Sequence, residues 1–419
     1  MSLQFITGNS GNGKTKYLFN RIVKEAKANP RDNYLVIVPE QFTMQTQRQL
    51  VDLSENKAIM NIDVLSFKRL AYRVFDELGI TNLTVLEETG KNLVLRKLAA
   101  QEADKLGVIG RNLNRIGYIS EVKSLLSELV QYNISPEELG RYIASGRLSD
   151  TLSDKLKDVL VLYEAFEKFM QDKYITAEEI LNVLSNVAEE SAILRNSVIA
   201  FDEFTGFTPI QNQLIKKLFV ISKKIYVTLT IDCREDIFKS IGMQELFDMP
   251  KRTVKSLTEM AAFYGIEVEE PIILDKNYRL AENEELSFME QQLFRKRRCS
   301  LKKAPKHIHI DCLRDPKQEL TKIARRINEL VRNENLRYRD IAIVTGDVNI
   351  YAGYVREIFD KYNIPYFIDA TQEILFHPFI EFIRSIPDIA AQNFSADAVF
   401  RFLRCGFSEL LDSEIDVLE

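Results

Sequence analysis

The chain has 419 residues, 46% of them hydrophobic and 28% charged, with a formal net charge of −5; this is a globular composition, long enough for two or more domains. The acidic balance excludes nucleic-acid binding by bulk basicity and leaves only local patches for it. Cys233, Cys299, Cys312 and Cys405 form no C-x-x-C pair, no apolar run approaches the ~18 residues of a membrane span, and the N-terminus carries no basic n-region or cleavage site, so a reduced, cytoplasmic setting is expected.

The first element is an apolar strand, Leu3–Ile6, that breaks into Gly8-Asn9-Ser10-Gly11-Asn12-Gly13-Lys14-Thr15. This stretch meets G-x-x-x-x-G-K-[ST] at every fixed position, the pattern of a phosphate-cradling P-loop (Walker A). Glycines are needed because the backbone must curl with its N–H groups inward, in conformations where side chains would clash. The following helix, about Lys14 to Ala28, aims its N-terminal dipole and free N–H groups at the phosphates. Lys14 is expected to reach the β- and γ-phosphates of ATP, and the Thr15 hydroxyl to join a Mg²⁺ shell. The competing reading is a glycine-rich turn that matches by accident.

A second strand is expected at Tyr34–Pro39. Between about residues 80 and 195 the pattern is nearly all helical, as in "SDKLKDVLVLYEAFEKFMQDKY", and predicts a helical insertion over 81–194. The near-continuous apolar run Val198–Phe201 then reads as a buried parallel strand. It ends in Asp202, suited to hold Mg²⁺, and Glu203, suited to activate an attacking water. With a strand over Lys224–Asp232, residues 1–80 and 195–295 make a first α/β lobe. A basic run, Arg295-Lys296-Arg297-Arg298 with Lys302, Lys303 and Lys306, leads to a second α/β lobe over 306–385. Its expected order is strand ("HIHIDCL"), helix, strand ("DIAIVTG"), helix, strand ("IPYFID"). Residues 386–419 read as the start of a further helical insertion, with two helical segments over 394–419 and a pattern still running at Glu419, and a fragment of a longer protein is expected.

This order resembles the two-lobed superfamily-one helicases of the UvrD type. More closely it resembles the AddB/RexB-type component of bacterial ATP-dependent helicase–deoxyribonucleases. The likeness rests on "GNSGNGKT", "IVPEQFT" (Ile37–Thr43), "VLSFKRLAYRVF" (Val64–Phe75), "AFDEFTGFTPIQ" (Ala200–Gln211), "LDKNYR" (Leu274–Arg279) and the start of the second lobe. It implies RecA-like lobes, ATP with Mg²⁺, DNA, and a heterodimer with the catalytic helicase–nuclease component in double-strand-break repair and recombination. It further implies that Tyr278 stacks on adenine, that Arg279 touches the γ-phosphate, and that Phe42, Ser66 and Phe67 contact DNA, although the helix-period apolar residues of "LSFKRLAYRVF" suit Phe67 equally to the core. The nuclease and iron–sulfur cysteines of such proteins would lie beyond Glu419.

Departures from the pattern bear on mechanism. No adenine-reading Gln segment fits upstream of Gly8, Glu235 stands where these motors carry a γ-phosphate-sensing Gln, and the motifs with the arginine finger would follow Glu419. A finger is worth ~10³–10⁵ in rate, so binding with slow hydrolysis is expected. Two other readings stay open: a DNA-recognition scaffold with a relic P-loop, and a stand-alone P-loop ATPase, which the long spacing between Lys14 and Asp202 disfavours. His307, His309 and Cys312 invite a metal reading, but on a strand Cys312 faces away from the histidines. The basic run is either a phosphate grip or a solvated linker.

Overall fold

The computed structural model describes residues 1–81, 84–108, 110, 116–145, 148–170, 174–240, 242–295, 299–370 and 374–419. The chain forms two compact units, Met1–His307 and Ile308–Glu419.

The first unit opens β1 (Ser2–Gly8), α1 (Lys14–Ala28), β2 (Tyr34–Ile37), α2 (Thr43–Leu53), β3 (Ile62–Leu65) and α3 (Phe67–Leu78). A mostly helical stretch follows: β4 (Val85–Leu86), α4 (Glu88–Gln101), α5 (Ile116–Gln131), α6 (Pro136–Ala144), α7 (Asp150–Met170), β5 (Ile175–Thr176) and α8 (Ile180–Val187). The chain then returns to the sheet with β6 (Val198–Phe201), α9 (Pro209–Ile221), β7 (Lys224–Thr230), α10 (Asp248–Phe263), β8 (Glu267–Val268), β9 (Ile272–Leu274) and α11 (Glu284–Gln292).

Seven of these strands form one sheet in the order β3-β2-β6-β7-β1-β8, with β9 also on β1. Every pairing in it is parallel. The register sets Gly8 beside both Thr230 and Leu274, and Phe201 beside Val227. Parallel strands covered on both faces read as continuous apolar runs, and β2 and β6 are buried at every residue. Side chains alternate between two cores. Leu3 and Phe5 join Leu70 of α3, Leu184 of α8, Leu214 of α9 and Val254 of α10 on one face. Ile6 joins Leu18 and Ile22 of α1 and Leu50 of α2 on the other. A separate apolar cluster, with Leu95, Leu126, Leu162 and Phe166, holds α4, α5 and α7 together.

The second unit contains α12 (Pro316–Asn333), α13 (Val348–Lys361), α14 (Pro378–Ala391), α15 (Ala396–Leu403) and α16 (Asp412–Leu418). α12 and α13 pack through Leu320, Ala324, Ile358 and Phe359. α12 and α13 fall where periodicity puts them and α14 was not foreseen, but the three apolar segments expected as strands, at 307–313, 340–346 and 364–369, carry no ladder among the described residues. Apolar character alone does not make a strand: a strand needs a neighbour to take its N–H and C=O groups, and none pairs with these segments here. Val344 and Phe367 are 93% and 88% exposed in consequence. No helix among the described residues is long and apolar enough to cross a membrane.

Candidate functional site

A parallel sheet puts the carboxyl ends of its strands on one edge, and the crevice beyond them is where an open α/β sheet receives a ligand. Here β1 runs into the glycine-rich loop, β6 into Asp202 and Glu203, β7 into Asp232, and β9 into Asn277–Arg279. The sequence therefore assembles the site by topology, from segments up to 271 residues apart (Gly8 to Arg279).

The loop needs its glycines for close approach. A Cβ on Gly8 would lie 2.6 Å from the Leu274 carbonyl oxygen. Gly11, in the left-handed region at φ 89°, would place one 2.8 Å from both Arg279 Cβ and Asn277 Oδ1. α1 starts at Lys14 without a side-chain cap or an acidic residue in its first turn, so its leading N–H groups and positive dipole end face the loop.

Lys14 and Thr15 begin that helix. The Lys14 ammonium donates to the Gly8 and Asn9 carbonyls, both at 3.0 Å. Burial lowers its pKa, against the opposing pull of Glu203 and Asp202, and Arg279 lowers it further. The Thr15 hydroxyl lies 3.3 Å from Asp202 Oδ1 and 3.3 Å from Glu203 Oε1, and its single proton serves one of them at a time. Asp202 is buried, with 1% of its surface exposed. Its Oδ1 also accepts from the Thr228 hydroxyl of β7. Its Oδ2 is buried with no hydrogen-bond partner. Burial raises the Asp202 pKa, the Thr228 bond opposes that rise, and the neighbouring Glu203 charge adds to it. Glu203 is exposed and sits at φ 64°, a conformation that a non-glycine residue holds only when its surroundings impose it.

A strap from Leu274 to Leu280 clasps the loop. Asn12 Nδ2 donates to the Leu274 carbonyl at 2.5 Å, the Tyr278 N–H to the Gly11 carbonyl at 3.0 Å, and Asn277 Nδ2 to the Ser10 carbonyl at 3.0 Å. Arg279 Nη1 donates to Ser10 Oγ at 3.3 Å. The Tyr278 ring lies 3.6 Å from where a Gly13 Cβ would stand; it is 65% exposed, with the Lys276 ammonium 4.9 Å from its centroid. On the far side Asn9 donates to Glu290 Oε1 of α11 at 2.7 Å and accepts from the Cys233 N–H at 3.0 Å. Residues Gly8 to Thr15, Asp202, Glu203, Tyr278 and Arg279 thus share one edge of the sheet.

The three residues singled out for DNA contact lie elsewhere, after β2 and β3. Ser66 caps α3, accepting from the Arg69 N–H at 3.3 Å and donating to Glu40. Phe42 is half-buried against the α1–α2 side of the sheet. Phe67 is 7% exposed, its ring 5.8 Å from Phe201, 5.5 Å from Phe204 and 6.4 Å from Phe207. A ring enclosed on those sides belongs to the core, which its helix-period neighbours had allowed.

Other groups were not legible in advance. Asp232 is buried; it takes Arg234 Nε at 2.9 Å on Oδ1, and Arg234 Nη2 and Arg295 Nη2, each at 2.6 Å, on Oδ2. Burial pushes its carboxyl up, but the guanidinium bonds and charges outweigh that and hold it at about 2. Arg295, the first residue of the basic run, is therefore an anchor, with its guanidinium also 5.1 Å from the Phe247 ring; Lys296, Arg297 and Arg298 lie outside the described residues. Glu235 pairs with the buried Lys251 at 2.8 Å, which offsets the negative charge expected there. Among the described residues no group of three or more His, Cys, Asp or Glu is placed to hold a metal ion. A cation at Asp202 and Thr15 would need its remaining ligands from a bound anion and water.

By fold, then, this is an α/β protein with a parallel sheet whose carboxyl ends carry the candidate site. Residues 5–290 match the family described as ADDB, N-terminal. The chain belongs to that family. It is 38% identical over 424 residues to the B subunit of the ATP-dependent helicase/deoxyribonuclease of Lachnoclostridium phytofermentans, covering 100% of this chain and 37% of that protein. The proteins of the same name from Clostridium tetani and Clostridium acetobutylicum are 33% and 34% identical, again over 100% of this chain and 37% and 36% of theirs. The chain therefore spans little more than a third of the length of these relatives.

Proposed function

We propose that the chain is the N-terminal, helicase-like part of the B subunit of an ATP-dependent helicase/deoxyribonuclease, and that its glycine-rich loop is a P-loop binding ATP with Mg²⁺. On this reading residues 1–80 and 195–295 are a first RecA-like lobe, 81–194 a helical insertion and 306–385 the start of a second lobe. The setting is cytoplasmic double-strand-break repair and recombination, on DNA and in a heterodimer with the catalytic helicase–nuclease component.

The observation that carries the reading is the orphaned Oδ2 of Asp202, a buried carboxylate oxygen without a partner on the same carboxylate whose Oδ1 faces the Thr15 hydroxyl at the start of α1. A buried unsatisfied carboxylate oxygen costs stability and persists where a ligand completes it. Asp202 and Thr15 fit Mg²⁺, a hard cation that takes oxygen ligands. Gly8, Asn9, Ser10, Gly11, Asn12 and Gly13 fit a polyphosphate, which their backbone and the α1 N-terminus would receive. When bound, Mg²⁺ supplies positive charge against the phosphate oxygens.

The protein's own residues do the rest. Lys14 exchanges the Gly8 and Asn9 carbonyls for phosphate oxygens, a partly desolvated ammonium gaining charged acceptors for neutral ones. Arg279, tethered to Ser10 at the mouth of the loop, meets the terminal phosphate, and Tyr278 offers an exposed face to the base. Glu203 accepts the proton of an attacking water. Few cations face the developing charge, so turnover is slow. The rival reading, a relic loop in a DNA-recognition scaffold, draws on the same Lys14 bonds, which satisfy the ammonium within the loop itself. Melting with and without ATP and Mg²⁺ decides: a ligand at 100 times its Kd adds ~2.7 kcal/mol, and an unmoved transition at millimolar ATP rejects the nucleotide site.

A further inference from the structure

Asn277 is half-buried at the turn of the strap, and one side chain there makes two bonds in different directions. Its Oδ1 accepts from the Leu280 N–H at 3.0 Å, closing the turn that carries Tyr278 and Arg279. Its Nδ2 donates to the Ser10 carbonyl at 3.0 Å, inside the glycine-rich loop. The neighbouring main chain repeats the link, Tyr278 N–H to Gly11 carbonyl at 3.0 Å, and Asn12 answers from the loop to the Leu274 carbonyl at the root of the strap. Gly11 sits so close that any Cβ there would meet Asn277 Oδ1 at 2.8 Å. An amide offers a donor and an acceptor side by side at this length.

We propose that Asn277 is a positioning residue that fastens the strap to the glycine-rich loop, so that the loop's curvature and the placement of Tyr278 and Arg279 over it are set together. This rests on the nucleotide reading only for its consequence, and not for the fastening itself. Once the Nδ2 bond is lost, Ser10 to Gly13 is held by fewer bonds and the strap carries Tyr278 away from the α1 N-terminus. Asp at 277 separates the two roles. It keeps an acceptor for the Leu280 N–H but has no donor for the Ser10 carbonyl.

Amide hydrogen exchange without nucleotide tests the fastening. Asn277→Ala and Asn277→Asp are both expected to speed exchange at Asn12 and Tyr278, whose N–H groups donate to the Asn9 and Gly11 carbonyls, about fivefold or more. Asn277→Asp keeps the protection of Leu280 that Asn277→Ala loses. Unchanged exchange at Asn12 and Tyr278 in both variants overturns the proposal whether or not nucleotide binds. The second arm titrates ATP with Mg²⁺ against wild type, Asn277→Ala, Tyr278→Ala and the double variant. Asn277→Ala should weaken binding about five- to tenfold, and the double variant should be weaker than Tyr278→Ala by less than that factor, since part of each loss is the same placed ring. Losses that multiply would show that Asn277 acts independently of Tyr278 and overturn the positioning role. Absence of ATP binding by wild type would sink the proposed function, while the exchange arm would still decide the fastening.

Discussion

Asp202→Asn is expected to stabilise the ligand-free protein while abolishing its response to Mg²⁺ and ATP. The carboxylate is 1% exposed, one oxygen has no partner, and the nearest negative neighbour, Glu203, opposes its ionisation. Neutralising an uncompensated buried charge returns about 1–4 kcal/mol, from which weaker bonds to Thr228 and Thr15 subtract ~1 kcal/mol, leaving a net gain of about 0–3 kcal/mol. At roughly 2–4 °C per kcal/mol the melting temperature rises by a few degrees. The sign with pH follows from the raised pKa. Folded Asp202 holds its proton more tightly than the ordinary value of 3.8, so the wild type loses stability as pH rises from that value through the folded one. The advantage of Asn should accordingly be smaller near pH 4, close to the ordinary value, than at pH 8. Denaturant unfolding at both pH values, with and without ATP and Mg²⁺, reads all three effects. A variant that is less stable than wild type at pH 8, or equally shifted at both pH values, refutes the argument that burial strains this carboxylate.

Phe67→Ala should cost about 3–5 kcal/mol in denaturant unfolding, because it empties the contact with Phe201, Phe204 and Phe207; a cost below ~1 kcal/mol would mean the ring is not core. Asp232 is held at about 2, below the ordinary 3.8, so its contribution is complete above about pH 4 and lost as pH falls toward 2. Asp232→Asn should therefore cost about 1–2 kcal/mol at pH 7, allowing for solvent screening of the half-exposed Arg234, and progressively less below pH 4. Steady-state phosphate release should be slow and little changed by single-stranded DNA; several turnovers per second, stimulated many-fold by DNA and lost in Glu203→Gln, would reveal an efficient motor.

The parts of the site legible in the sequence were those where local pattern and chemistry coincide. Gly8, Gly11 and Gly13 mark a backbone that no other residue follows, and Val198–Phe201 is apolar throughout because β6 is covered on both faces. α1 runs from Lys14 to Ala28, as its periodicity indicates. What stayed hidden depends on tertiary approach. Asn9, Asn12 and Asn277 sit in spacings that say nothing of Glu290, Leu274 or Ser10, since those partners are at least 262 residues away in sequence. Arg295 read as one charge in a run suited either to grip phosphate or to link the lobes in solvent, and only the fold brings Asp232 to it. Phe67 looked equally suited to stacking and to burial, and only the fold puts Phe201 and Phe207 against it. In the second unit α12 and α13 follow from periodicity, while the apolar segments between them remained ambiguous because pairing is not a local property.

Calorimetric titration of ATP in Mg²⁺ into the wild-type protein and Lys14→Ala addresses the glycine-rich loop most directly. Saturable binding by the wild type, weakened at least tenfold when the ammonium beside Gly8 and Asn9 is removed, is the predicted result. Equal affinity in the two proteins, or no heat in either, would contradict it.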